Sequence, residues 1–277
     1  MQKIKIWQIK KYHKFFCLLG LEVFTFCFLF LTTRPLFAQN EISDYQYQNE
    51  KYREAYQVYL KTREAYLKYQ TLTSQTDFNK ASQDFLYLRA KVLRNYFQVI
   101  KKILRETVDI EPNQRQALIL ALDREIDSLE AYENQLQNLQ QPTLNDLWEI
   151  SLRVERRVNF YKKLAYQSLA NIILGRMRSL NSESVAINFL LEEKIKNNPD
   201  KEVTLLNQWL QTVRDKTYQS QKNLEKAENY LELLNKSETG QDAYNFYLKI
   251  QEELGKAKAG FLENLNFQRE ILITIKE

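Results

Sequence analysis

The side chains with most chemical capacity in this chain are crowded at its N-terminus. His13 is the only histidine of 277 residues, and Cys17 and Cys27 are the only cysteines. All three lie in a segment with the pattern of a secretory signal. Lys3, Lys5, Lys10, Lys11 and Lys14 precede a nearly apolar run from Phe15 to Thr33, interrupted by Glu22. Arg34-Pro35-Leu36-Phe37-Ala38 then leads into polar sequence. Ala38 suits cleavage, although Leu36 is larger than ideal two residues before it. The apolar run is also close to the roughly 20 residues that span a bilayer as a helix. Residues 1–38 therefore read as a signal peptide or an uncleaved N-terminal membrane anchor. With the lysines on its cytoplasmic side, the remainder faces outward: periplasmic, extracellular or membrane-anchored.

Residues 39–277 consequently contain neither His nor Cys. That excludes a disulfide, although export permits one. It excludes zinc, copper and haem sites on imidazole or thiolate ligands, and the Glu-x-x-His di-iron motif. Ser-His-Asp and Cys-His catalysis lack their base, and no glycine-rich phosphate loop is present. Carboxylates are abundant, but nothing selects a pair for glycoside chemistry. Every Asp and Glu is explained by a solvated helix face. No catalytic, cofactor-binding or metal-binding residue is assigned, no cofactor is expected, and the chain is not expected to be an enzyme.

Three features remain as candidates. Tyr45, Tyr52, Tyr59 and Tyr66 recur at intervals of seven, flanked by Tyr56 and Tyr69. Such a stripe is either core or, because tyrosine is favoured where apolar and wet surfaces meet, an interaction face for a partner or for self-association. Thr217 and Ser220 interrupt an otherwise apolar stripe, either as tolerated small polar residues or as the lining of a polar cavity. Arg153, Arg156, Arg157, Lys162 and Lys163 form a basic run opposed by Glu155. The preceding helix is acidic through Asp123, Glu125, Asp127, Glu130 and Glu133, so the run reads chiefly as internal charge complementarity.

The elements that must carry these residues are helical. Beyond residue 38 only Gly175, Gly240, Gly255, Gly260, Pro112, Pro142 and Pro199 punctuate the chain, too few for strands and tight hairpins. Apolar periodicity predicts helices over about 44–70, 77–106, 112–141, 144–179, 185–196, 203–236 and 241–276. A joint is expected at Asn181-Ser182-Glu183-Ser184. Val203, Leu206, Leu210, Val213, Leu224, Ala227, Leu231 and Leu234 keep a strict heptad phase, which implies left-handed supercoiling. The expected fold is all-α: six to seven helices in long antiparallel hairpins with coiled-coil-like packing. Residues 39–277 form the bundle, with sub-units 44–180 and 183–277.

The charge balance bears on partners. Residues 1–38 hold six of the 40 Lys and Arg and one of the 35 Asp and Glu, leaving 34 of each in the remainder. A nucleic-acid partner is not expected without a basic excess. The expected function is an exported structural or protein-interaction helical protein of the cell envelope or exterior, scaffold- or adaptor-like. Its partner is a protein or a second copy, with membrane contact only through residues 1–38. The alternative is an extracytoplasmic small-molecule-binding or sensor-like bundle.

Overall fold

The computed structural model describes residues 39–198 and 203–276. Residues 1–38, expected from the sequence to be a signal or anchor segment, lie outside them. The chain divides into two compact units, Met1–Ser43 and Asp44–Glu277. Of the first, only residues 39–43 are described, as the opening of α1. Among the described helices none is long and apolar enough to cross a membrane.

The fold is all-α. Among the described residues six helices follow one another: α1 Gln39–Tyr69, α2 Leu72–Glu106, α3 Pro112–Asn138, α4 Leu144–Lys196, α5 Val203–Lys236 and α6 Gly240–Lys276. No strand occurs among the described residues.

Local chemistry sets the helix starts. Thr71 accepts from Ser74 N while Ser74 Oγ accepts from Thr71 N, a reciprocal cap. This starts α2 five residues ahead of the expected Asp77. Glu111 accepts from Asn113 N and Gln114 N, with Pro112 in the first turn of α3. Thr143 and Asp146 form the expected capping box of α4. Thr239 Oγ1 accepts from Asp242 N at the start of α6.

The expected joint at residues 181–184 is absent. Asn181-Ser182-Glu183-Ser184 lie inside α4, which runs unbroken for 53 residues. The reason is burial. Met177, Ser184, Asn188, Leu191 and Ile195 are all buried along one face, so packing overrides the weak helix propensity of Asn and Ser. At 1.5 Å per residue α4 is about 80 Å long.

Contacts define which helices neighbour α4 and in which sense. Against α2 the pairs run parallel: Arg89 with Glu155, and Phe97 with Tyr161. Against α6 they also run parallel: Tyr166 with Tyr244, and Asn188 with Gln268. Pairs with α3 and α5 run in the opposite sense: Arg157 with Glu125, Arg153 with Gln135, Arg178 with Glu228, and Arg214 with Glu192. The first half of α4 thus packs with α2 and α3, and the second half with α5 and α6.

The two groups overlap along α4. Its middle is buried on nearly every side: Leu164 to Tyr166 and Ser168 to Gly175 are all buried. The α5–α6 turn lands near the start of this stretch, where Lys163 Nζ donates to the Ser237 carbonyl across 2.6 Å. The α2–α3 connection lands at its end. A Cβ added to Gly175 would lie 2.6 Å from the Val108 carbonyl oxygen. Glycine is needed there because the backbone of the connection comes so close.

Candidate functional site

The tyrosine stripe lies mostly inside. Tyr45, Tyr52, Tyr56 and Tyr59 are buried. Tyr52, Tyr56 and Tyr59 pack their rings around Phe85 of α2, with centroids 5.0–5.5 Å apart. Tyr45 meets Tyr96, and half-buried Tyr66 stacks on Phe78. Burial pushes the Tyr45 and Tyr59 hydroxyls up to about 12. The interaction-face reading is corrected for these four residues: α2 occupies that face. Tyr69 is 61% exposed and Tyr66 partly so, so the end of α1 alone presents tyrosine outward from the stripe.

The polar interruption of α5 belongs to a larger internal layer. Asn188 Nδ2 of α4 and Asn264 Nδ2 of α6 both donate to Thr217 Oγ1, at 3.1 and 2.9 Å. Thr217 Oγ1 in turn donates to the Val213 carbonyl, at 2.8 Å. Gln268 Nε2 donates to Asn188 Oδ1 at 2.7 Å. Asn264 is 0% and Gln268 2% exposed. Asn264 Oδ1, Gln268 Oε1, Ser184 Oγ and Ser220 Oγ are buried in the same region without a hydrogen-bond partner. Gly260 of α6 faces Ser220 so closely that a Cβ there would fall on its hydroxyl. The sequence flagged only the α5 members, because Asn264 and Gln268 merely looked like polar lapses in an apolar repeat.

A second polar region lies between α3 and α4. Ser128, Tyr132 and Gln135 face Arg153, Arg157 and Tyr161 around a recess of about 230 Å³. Arg157 pairs with the buried Glu125, and Arg153 Nη1 donates to Gln135 Oε1 at 3.2 Å. Beneath, Arg89 approaches Glu155 at 3.9 Å. Burial raises the Glu155 carboxyl above its ordinary range, and Arg89 opposes that shift. Burial likewise raises the Tyr132 hydroxyl and pushes Tyr161 up to about 12.

The basic run is spent largely on internal contacts, though not all of them to the acidic helix. Arg157 does meet Glu125 of α3, but Lys163 binds the α5–α6 turn and the Lys162 methylenes lie against Gly240. Two acids of α3 pair instead with α2: Glu133 with Arg94, and Asp123 with Lys101. Sequence reasoning missed those α2 partners because it compared only the two helices of one expected hairpin.

No group of three or more His, Cys, Asp or Glu side chains able to hold a metal ion occurs among the described residues. No family model, no curated protein and no solved structure matches the chain.

Proposed function

We propose that this chain is an exported, non-catalytic scaffold of the cell envelope or exterior, which holds a protein partner or another copy of itself along its helical surface. The observation that carries the reading is the rod-like backbone element α4, 53 residues long and shared by two helix groups, with large apolar side chains left outside on the second group. Leu180, Val185, Phe189 and Leu190 of α4 and Leu262, Leu265 and Leu272 of α6 are all exposed. Seven large apolar side chains on two adjoining helices exceed the scattered singles of an ordinary surface. In this reading α5 and α6 form an antiparallel hairpin with left-handed heptad packing, and residues 1–38 deliver or anchor the chain.

Crosslinking in intact source cells with a C-terminally tagged copy, followed by mass spectrometry, tests the proposal. One dominant protein partner, or the chain itself, is the expected outcome. A monomer with no envelope partner overturns it.

The α3–α4 recess favours a second reading, a small-molecule-binding bundle. Two tyrosines and two arginines around about 230 Å³ can hold a small anionic ligand. Thermal shifts across a panel of small anionic metabolites test this: a rise lost in the Arg153→Ala chain supports it, and flat curves sink it.

A further inference from the structure

We propose that the seam between α4 and α6 docks an acidic amphipathic helix of a partner protein. This deepens the scaffold reading and rests on it.

The seam is fixed by one ring contact. Tyr166 of α4 and Tyr244 of α6 approach at 5.5 Å, and the two helices run parallel. Steps of seven residues from each tyrosine therefore stay on the same side of the pair. On α4 they reach Leu180, Ile187 and Lys194, and on α6 Lys258, Leu265 and Leu272. At the tyrosine end the seam is closed, with Tyr166 and Tyr247 buried. Toward the C-terminal end it is open. Leu180, Leu265 and Leu272 are 42–49% exposed, while Ile187 forms a half-buried floor on the apolar cluster of Leu191, Ile195 and Ile271.

The next rows outward carry Leu190 on α4 and Leu262 on α6, both more than half exposed. The seam is thus a valley between two parallel helices, walled and floored by aliphatic side chains. That shape suits one further helix. The first helix group shows what such a helix does: α1 covers an aromatic face of α2. No described helix lies over the α4–α6 valley in the same way.

Charge selects the occupant. Across the other seams of this group bases face acids: Arg178 with Glu228 and Arg214 with Glu192 between α4 and α5, Lys216 with Glu263 and Lys226 with Glu253 between α5 and α6. The four rows bordering the valley carry Lys194, Arg269 and Lys276, beside Arg176 and Lys258 with contacts of their own, and the single acid Glu183, in a chain whose residues 39–277 hold as many acids as bases. A helix with leucine-like residues at three- and four-residue spacing, bordered by Asp and Glu, complements both features. A second copy presenting this same face would bring basic rows together, which disfavours self-pairing here.

The test is site-specific photo-crosslinking in source cells from the full chain, with the photoreactive residue at 265 or 272 and, as a reference, at 189 on the α4 side facing away from α6. The expected product at 265 and 272 is a protein peptide with apolar residues at helical spacing and a net negative charge. The double substitution Arg269→Glu/Lys276→Glu should cut that yield at least fivefold, with helix content and melting temperature unchanged. A basic or uncharged peptide, a lipid adduct, a second copy, a yield indifferent to the double substitution, or no product at 265 and 272 overturns the proposal. A protein product from 189 alone would reject this seam and leave the scaffold reading standing. No protein product from any of the three positions would reject both.

Discussion

Arg178 Nη1 donates to the Asp109 carbonyl across 3.1 Å, and its Nε pairs with Glu228 across 2.7 Å. One side chain on α4 therefore touches the α2–α3 connection and α5 together, at the place where the two helix groups overlap. Asp109 itself sits at φ 57, a conformation that asparagine, aspartate and glycine tolerate best.

Removing that link should loosen the coupling between the groups more than it lowers stability. Arg178 is about one-third exposed, so water screens its ion pair. Arg178→Ala is expected to cost about 1 kcal/mol through the lost hydrogen bonds. Urea unfolding followed at a probe in each group should then resolve two midpoints where the unaltered chain shows one. Coincident midpoints in the variant would contradict the coupling role.

The internal polar layer makes an opposite pair of predictions. Asn188→Leu alone leaves Gln268 Nε2 only its long 3.4 Å contact to the Ser184 carbonyl, and should destabilise by about 1–3 kcal/mol, the cost of a poorly satisfied buried group. Replacing the amide layer together (Asn188→Leu, Thr217→Val, Asn264→Leu, Gln268→Leu) removes the unpaired Asn264 and Gln268 acceptors and should raise the melting temperature. The same change should relax register, as when a lone buried polar residue is removed from a coiled coil. Cysteine pairs read this directly. Lys216→Cys with Glu263→Cys reports the native register, and Lys216→Cys with Lys256→Cys reports a one-heptad slip. Crosslinks of the second kind should appear only in the apolar variant.

Gly175→Ala tests the close approach of the α2–α3 connection. In an open helix this change gains about 1 kcal/mol. Here the new methyl meets the Val108 carbonyl, so a net loss of about 1–3 kcal/mol is expected. Gly255→Ala meets nothing within 4 Å and should show the ordinary gain. Thermal melts of the two variants side by side decide the matter.

The buried tyrosines give an alkaline limit. Tyr45, Tyr59 and Tyr161 are each pushed up to about 12 by burial. In the unfolded chain they ionise near 10, so above that pH the folded state binds more protons than the unfolded one. Stability is therefore fully present below about pH 10 and is lost as pH rises toward 12. Each of these tyrosines contributes on the order of 2 kcal/mol to that loss. Absorbance at 295 nm should show a delayed fraction that titrates together with loss of helix, and Tyr59→Phe should shrink that fraction.

Most of the helix order was legible because it rests on local signals. Pro112, the Thr143–Asp146 box and the three-and-four apolar phase of α5 act within a few residues of where they stand. The missing break at 181–184 was not legible, since the burial of Ser184 and Asn188 depends on α5 and α6 arriving from elsewhere in the chain. The tyrosine stripe was readable as periodic, but its partner was not. Phe85, which three of those tyrosines touch, lies on a helix whose own apolar face is broad enough to suit several neighbours. Asn264 and Gln268 became informative only once their register against Thr217 and Asn188 was known. The valley beside α6 was hidden for the same reason: Leu265 and Leu272 follow core residues by one position, and only Tyr244's contact with α4 tells which flank they occupy.

The buried middle of α4 has a mechanical consequence. The buried stretch from Leu164 to Gly175 meets α6 at Tyr166 and the α2–α3 connection at Gly175. A pull on one group is carried into the other through a continuous hydrogen-bonded spine, with no hinge between them to absorb it. Tension or torsion applied at Tyr69's end of the molecule would arrive at Leu272's as displacement, which makes the chain a strut rather than a tether.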